Sequence, residues 1–175
     1  RSKANGNWED IVLAVSRDPA MIIYLDNAQN RKGRPNENYA RELMELFTLG
    51  EGHYTEKDIQ ESARAFSGWG LHRDRVEFLF LERQHDNDRK VFFEKSGNLN
   101  GEDIVRFILE RPRAAEYLAR RLWAFFAYTE PEDEVVSDIA AILRASRMEL
   151  KPALRAMFLS PAFYSARAVR PQLQS

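Results

Sequence analysis

Two groups of residues have the types and spacing that chemistry at a site would need. The first runs from Pro35 to Gly50, where Asn36, Glu37, Asn38, Arg41, Glu42 and Glu45 fall on one expected helix that also carries an apolar stripe. Glu42 and Glu45 are three apart, so on a helix both carboxylates reach the same point in space. Carboxylate pairs of this kind hold a hard divalent cation or share a proton. The plain alternative is a surface ladder, Glu37–Arg41–Glu45, at four-residue spacing. It would contribute about 0.3–0.5 kcal/mol per pair. Spacing alone favours the ladder, because Glu-x-x-Glu pairs are common on exposed helices.

The second group is His85-Asp86, with Asn87 and Asp88 beside it in a long polar loop. Imidazole suits both proton transfer near neutral pH and metal ligation. A solvated loop histidine is the alternative. If the two groups meet, Glu42 and Glu45 act as acidic ligands or general bases and His85 as a ligand or proton shuttle. Arg41 would clamp an anion or substrate, Arg64 would supply a counter-charge, and the cofactor would be a divalent cation held by Glu42, Glu45 and His85. Trp69 follows Gly68 and either stacks on a sugar ring or staples a helix end. His53 sits in a short turn. His72, with Arg73 and Arg75, reads as a wet basic turn or an anion contact. No Gly-rich phosphate loop, G-x-S-x-G elbow or H-E-x-x-H pair is present. Residues 26–30 lack the Gly and closing Glu of a calcium loop.

Positioning these residues falls mainly to helices. Asn7 caps a helix over 8–17 with Trp8, Ile11, Val12 and Val15 on one face. Asp18-Pro19 starts another through Leu25. Residues 26–36 form a polar loop. The 37–49 helix follows, capped by Asn36, stopped by Gly50, with Tyr39, Leu43, Leu46 and Phe47 toward the core. Thr55 and Asp58 resemble a capping box for a helix that buries Ile59, Ala63 and Phe66 and ends at Gly68. Residues 75–81 and 90–94 read as a short hairpin. Helices are expected near 101–110, 112–127, 132–146 and 150–159, with a turn after Pro161. Leu118, Leu122, Trp123 and Phe126 mark a core stripe. Pro112, Pro131, Pro152 and Pro161 stand at first turns, and the tail 170–175 reads as frayed. The fold class is mostly α, a multi-helix domain with a small β-hairpin insertion near residues 75–94.

The composition agrees with a single domain over 1–175. The 175 residues include 44% hydrophobic and 30% charged side chains, a globular balance. A net charge of −1 gives no general pull toward nucleic acid. No apolar run approaches the roughly 20 residues a membrane span requires, and residues 1–7 lack an apolar signal core. With no Cys, disulfides, thiolate metal sites and Cys nucleophiles are excluded.

A longer pattern runs through the chain: Asp18-Pro19-Ala20-Met21, Tyr24-Leu25-Asp26, Asn30, Lys32-Gly33, Pro35 through Gly50, Tyr54-Thr55, Ala63-Arg64-Ala65 and Gly68-Trp69. His85-Asp86 followed by Lys90, Gly101, and Leu159 through Tyr164 continue it. In these residues the chain resembles the bacterial domain-of-unknown-function family 1800. The loop from Asp86 to Lys90 departs from the Gly usual before the Lys. The resemblance implies an exported, extracytoplasmic or periplasmic protein, of which this chain is the later portion. It also implies gene neighbours of an exported sulfatase- or phosphatase-like family, and one polar cluster of Asn36, Glu37, Asn38, Arg41, Glu42, Glu45, His85 and Asp86. It implies no activity. Two functions follow as expectations. One is a metal-dependent hydrolase-like enzyme. The other is a non-catalytic binding or scaffold partner of an exported sulfatase-like protein, with the same residues fixing the fold.

Overall fold

The computed structural model describes residues 5–72 and 74–169; residues 1–4, Arg73 and the tail 170–175 lie outside the described residues. Helices dominate, and two small antiparallel hairpins interrupt them. The contacts divide the chain into two compact units, residues 12–108 and residues 1–11 with 109–175.

The unit of residues 12–108 carries every residue of the expected site. It contains most of helix α1 (Trp8–Ser16), then α2 (Pro19–Tyr24) and α3 (Asn38–Glu42). Helix α4 (Glu56–Ala65) follows, then strands β1 (Trp69–Leu71), β2 (Phe78–Phe80), β3 (Lys90–Phe92) and β4 (Lys95–Gly97), and helix α5 (Gly101–Leu109). Local signals start the helices as their residue types dictate. The Asn7 side chain accepts from the Glu9 amide at 2.9 Å, and that of Asp18 from the Ala20 amide at 2.8 Å ahead of Pro19. The Thr55–Asp58 capping box closes in both directions, at 3.2 and 2.8 Å. An edge-to-face aromatic run, Tyr39–Phe66–Trp69–Phe78, threads the core at centroid spacings of 4.9, 5.1 and 5.3 Å.

Three expectations are corrected in this unit. Residues 75–81 and 90–94 do not pair. Instead β1 pairs with β2 (Trp69↔Phe80) and β3 with β4 (Lys90↔Gly97). Each strand takes its neighbour in sequence, which closes a shorter loop at lower entropic cost. The link in the second hairpin is only Phe93 and Glu94, with Phe93 left-handed at φ 49°.

The 37–49 helix is not regular either. After α3 it widens into a π-turn over Leu43–Thr48. Leu49 donates to the Met44 carbonyl at 2.8 Å, five residues back, and the Thr48 hydroxyl reaches the Leu43 carbonyl at 2.6 Å. The wider turn shifts the buried phase. Leu43, Met44, Thr48 and Leu49 go inside, while Leu46, expected in the core, is 52% exposed. On α1, likewise, Ser16 is buried and Val15 is exposed.

The second unit is helical, with α6 (Pro112–Phe126), α7 (Asp133–Ala145), α8 (Leu150–Leu159) and α9 (Ala166–Val169). Leu118 and Trp123 are buried as expected; Leu122 and Phe126 are half-buried. Pro112 opens α6, whereas Pro131 precedes α7 by two residues and Pro152 sits in the first turn of α8. Among the described residues no helix is long and apolar enough to cross a membrane.

Candidate functional site

Helix α4 organises the polar residues because its charged side chains recur along one flank. Near its N-terminal end, Arg41 donates to both carboxylate oxygens of Glu56, at 2.9 and 2.8 Å, and lies 3.5 Å from Glu37. This fork holds the Glu56 carboxyl below its ordinary value. Glu45 accepts a 2.9 Å hydrogen bond from the Tyr54 hydroxyl. Burial, reinforced by that carboxylate, pushes the Tyr54 hydroxyl up to about 12. The Glu42 carboxylate has no hydrogen-bond or ion-pair partner among the described residues.

Two turns further on, the C-terminal end of α4 meets the His85 loop. Arg64 Nε donates to Asp86 Oδ2 at 2.7 Å, and its Nη1 lies 3.0 Å from each Glu61 oxygen. Asp86 is also held by backbone. Its amide donates to the Ser67 hydroxyl at 2.8 Å, and its Oδ1 accepts the Asp88 amide at 2.9 Å. Burial alone would raise the Asp86 carboxyl. The Arg64 bond, the Asp88 amide and the charges of Arg64 and Lys90 outweigh it and hold that carboxyl below the usual range. Lys90 is fully buried. Its ammonium donates to the carbonyls of Asp86 and, at 3.2 Å, Asp88, with Asn98 Oδ1 at 3.5 Å. Burial lowers its affinity for the proton, against the pull of Asp86.

The same flank of α4 grips strand β3 through its backbone. Glu61 Oε2 accepts the Val91 amide at 2.8 Å and Asp58 Oδ1 the Phe93 amide at 3.1 Å. His85 is buried, with Nδ1 2.8 Å from the Ser67 carbonyl and its ring edge-on to Phe80 at 5.2 Å. A carbonyl only accepts, so Nδ1 carries the hydrogen, and in the neutral ring Nε2 is the acceptor. Gly68 permits this approach. It has φ +79°, and a Cβ there would meet the Leu81 carbonyl at 2.7 Å and the His85 amide at 3.0 Å.

Asparagines tie the two ends together. Asn30, 1% exposed, donates to the Ala63 carbonyl at 2.8 Å and accepts the Asn36 amide at 3.1 Å. Asn36 in turn accepts the Asn38 amide at 3.0 Å one residue ahead of the N-cap, which is Glu37 rather than the expected Asn36, and Asn38 donates to the Leu25 carbonyl at 3.3 Å.

The expected residues are thus sorted into two places. Arg41, Glu37 and Glu45 gather near Tyr54 and Glu56, while Arg64, Asp86 and His85 gather about 12 Å of helix rise further along α4. Among the described residues no three His, Asp or Glu side chains are disposed to hold a metal ion, so Glu42, Glu45 and His85 are not brought together as one set of ligands. Trp69 is 4% exposed between Phe66 and Phe78, with the Arg17 guanidinium over its ring at 5.2 Å. It is a core residue and offers no face to a sugar. His72 and His53 are exposed.

The family model described as "Protein of unknown function (DUF1800)" matches residues 1–175. The chain belongs to this family. No curated protein and no solved structure matches it. In this DUF1800 chain the polar residues that sequence reasoning missed are Glu61, Ser67, Lys90, Asn27 and Asn30. Two of them carry a usable signal. Glu61 stands three residues from Arg64 on a helix, and Lys90 shares a strand face with Phe92 by the period of two.

Proposed function

We propose that this DUF1800 chain is a non-catalytic binding or scaffold module, and that its ionic residues form an internal frame. One observation carries this reading. Glu56, Asp58, Glu61 and Arg64 of α4 are satisfied by Arg41, by Asp86, by one another and by backbone amides, and Arg64 by itself engages Asp86, Glu61 and, at 3.4 Å, the Arg89 carbonyl. Such a network fixes α4, β3 and the His85 loop in one arrangement and leaves the outer surface for partners. An exported sulfatase-like protein, outside the cytoplasm, is the partner the family resemblance suggests.

A metal-assisted, hydrolase-like role is the second reading. It is favoured by the unpaired Glu42 carboxylate at the entry to a π-turn, a distortion that recurs at functional sites. Metal analysis of the dialysed protein, with melting curves in chelator, separates the two. The scaffold reading expects no stoichiometric metal and the same melting temperature for parent, Glu42→Gln and Glu45→Gln. One retained divalent ion per chain, lost in Glu42→Gln, would replace it with the second.

A further inference from the structure

The turn at Arg31–Arg34 sets two like charges against each other. The two residues are antiparallel bridge partners, with the Arg34 amide donating to the Arg31 carbonyl at 2.9 Å and Gly33 supplying the left-handed residue at φ +76°. Side chains directly opposite across such a bridge start about 4.5–5.5 Å apart on one face, where like charges repel. Neither guanidinium has a hydrogen-bond or ion-pair partner among the described residues, whereas Lys32 between them lies 3.2 Å from Asp88.

The backbone of the turn is held in place from both sides. The Lys32 amide donates to the Gln84 carbonyl at 2.7 Å, and the base of the turn is closed by the Asn36 amide on Asn30 Oδ1 at 3.1 Å. Beside the turn opens a mainly polar depression of about 340 Å³, lined by Gln29, Arg34, Pro35, Asn36 and Glu37. The Glu37 carboxylate is drawn toward Arg41.

We propose that this turn binds a tetrahedral oxyanion, the phosphate or sulfate group of a larger molecule. Two guanidinium forks present more N–H donors than the two oxygens of one carboxylate accept, and a phosphate or sulfate group offers further oxygens. The side-chain amide of Gln29 adds a neutral donor at the rim, while that of Asn36 already donates to the Asp26 carbonyl at 3.3 Å. Neither arginine belongs to the ionic frame along α4, so this site stands or falls independently of the scaffold reading.

The test is a titration of the full chain with inorganic phosphate, inorganic sulfate and acetate at matched ionic strength, following arginine Nε–Hε signals by NMR. Phosphate and sulfate shift the Arg31 and Arg34 signals and acetate does not. The stronger of the two anions indicates which ester the site takes. Arg31→Gln and Arg34→Gln each weaken binding by about tenfold, one charge-assisted contact, with melting temperatures no lower than the parent's. Arg34→Lys also weakens it, because an ammonium keeps the charge and loses the fork. Silence toward both anions, an equal response to acetate, or undiminished binding by Arg31→Gln and Arg34→Gln would overturn the assignment.

Discussion

Replacing Lys90 with Met keeps most of the side-chain length and removes the charge together with its N–H donors. The consequence can be worked from its surroundings. Lys90 is wholly buried, and its ammonium serves the Asp86 and Asp88 carbonyls, the latter at 3.2 Å. The Asn98 contact, at 3.5 Å, is too long to count. Hydrogen bonds to charged groups contribute about 1.5–3 kcal/mol each. The lower figure applies, since Lys90→Met also removes the cost of desolvating an ammonium. Two bonds then give a loss of about 3 kcal/mol. Apolar replacement of a buried ion network is neutral when every partner is replaced. Here the stranded acceptors are backbone carbonyls, which no substitution removes. At roughly 2–4 °C per kcal/mol for a chain of this size, the melting temperature falls by roughly 6–12 °C. Circular dichroism melts and urea titrations measure it, with the urea m-value unchanged. A Lys90→Met protein melting within about 2 °C of the parent would refute the reasoning, because the ammonium would then contribute nothing beyond its stem.

Other consequences follow from the same geometry. Asp86 is held below its ordinary value, so the stability it confers is complete above about pH 4–5, where the unfolded carboxylate is also ionised. That stability drains away as pH falls through the folded value; Asp86→Asn should lower the melting temperature at pH 7 and flatten its decline between about pH 5 and 3. Gly68→Ala places a methyl 2.7 Å from the Leu81 carbonyl in a left-handed backbone. It should cost roughly 2–4 kcal/mol by denaturant titration and shift the His85 ring signals in NMR spectra. Gly101→Ala drives a methyl to 2.5 Å from the buried Phe66 ring. A loss of about 1–3 kcal/mol is expected there, and an unchanged urea midpoint would contradict that packing.

Much of the scaffold was legible because its signals are local. The Asn7 and Asp18 caps, the Thr55–Asp58 box and the Gly50 stop each act through bonds a few residues apart, so residue type and spacing suffice. The hairpins failed for a different reason. Residues 75–81 and 90–94 share a β composition, and composition does not say which strand pairs with which. The π-turn was invisible because apolar residues at 43, 46 and 47 fit an ordinary helix. Only the burial of Met44 and Thr48 reveals the added residue per turn. For the site, His85, Asp86 and Arg64 were each named from residue type, but nothing in the sequence paired Arg64 with Asp86 as the fold does at 2.7 Å, and Glu61 could have been added from its spacing. Glu42 and Glu45 were joined to each other by helical spacing and to the His85 loop only by the family resemblance, and among the described residues no such metal set assembles. The burial of Lys90 shows in the sequence only as the period-two face it shares with Phe92.

The claim that Arg64 and Asp86 lock α4 to the His85 loop is tested most directly by a double-mutant cycle between Arg64→Met and Asp86→Asn. Denaturant titration of the parent, both single variants and the double variant gives the coupling free energy. A 2.7 Å charge-assisted bond at a mostly buried position predicts about 1.5–3 kcal/mol of coupling. Additivity within about 0.3 kcal/mol would mean that the two residues do not stabilise each other, and the internal frame would have no basis.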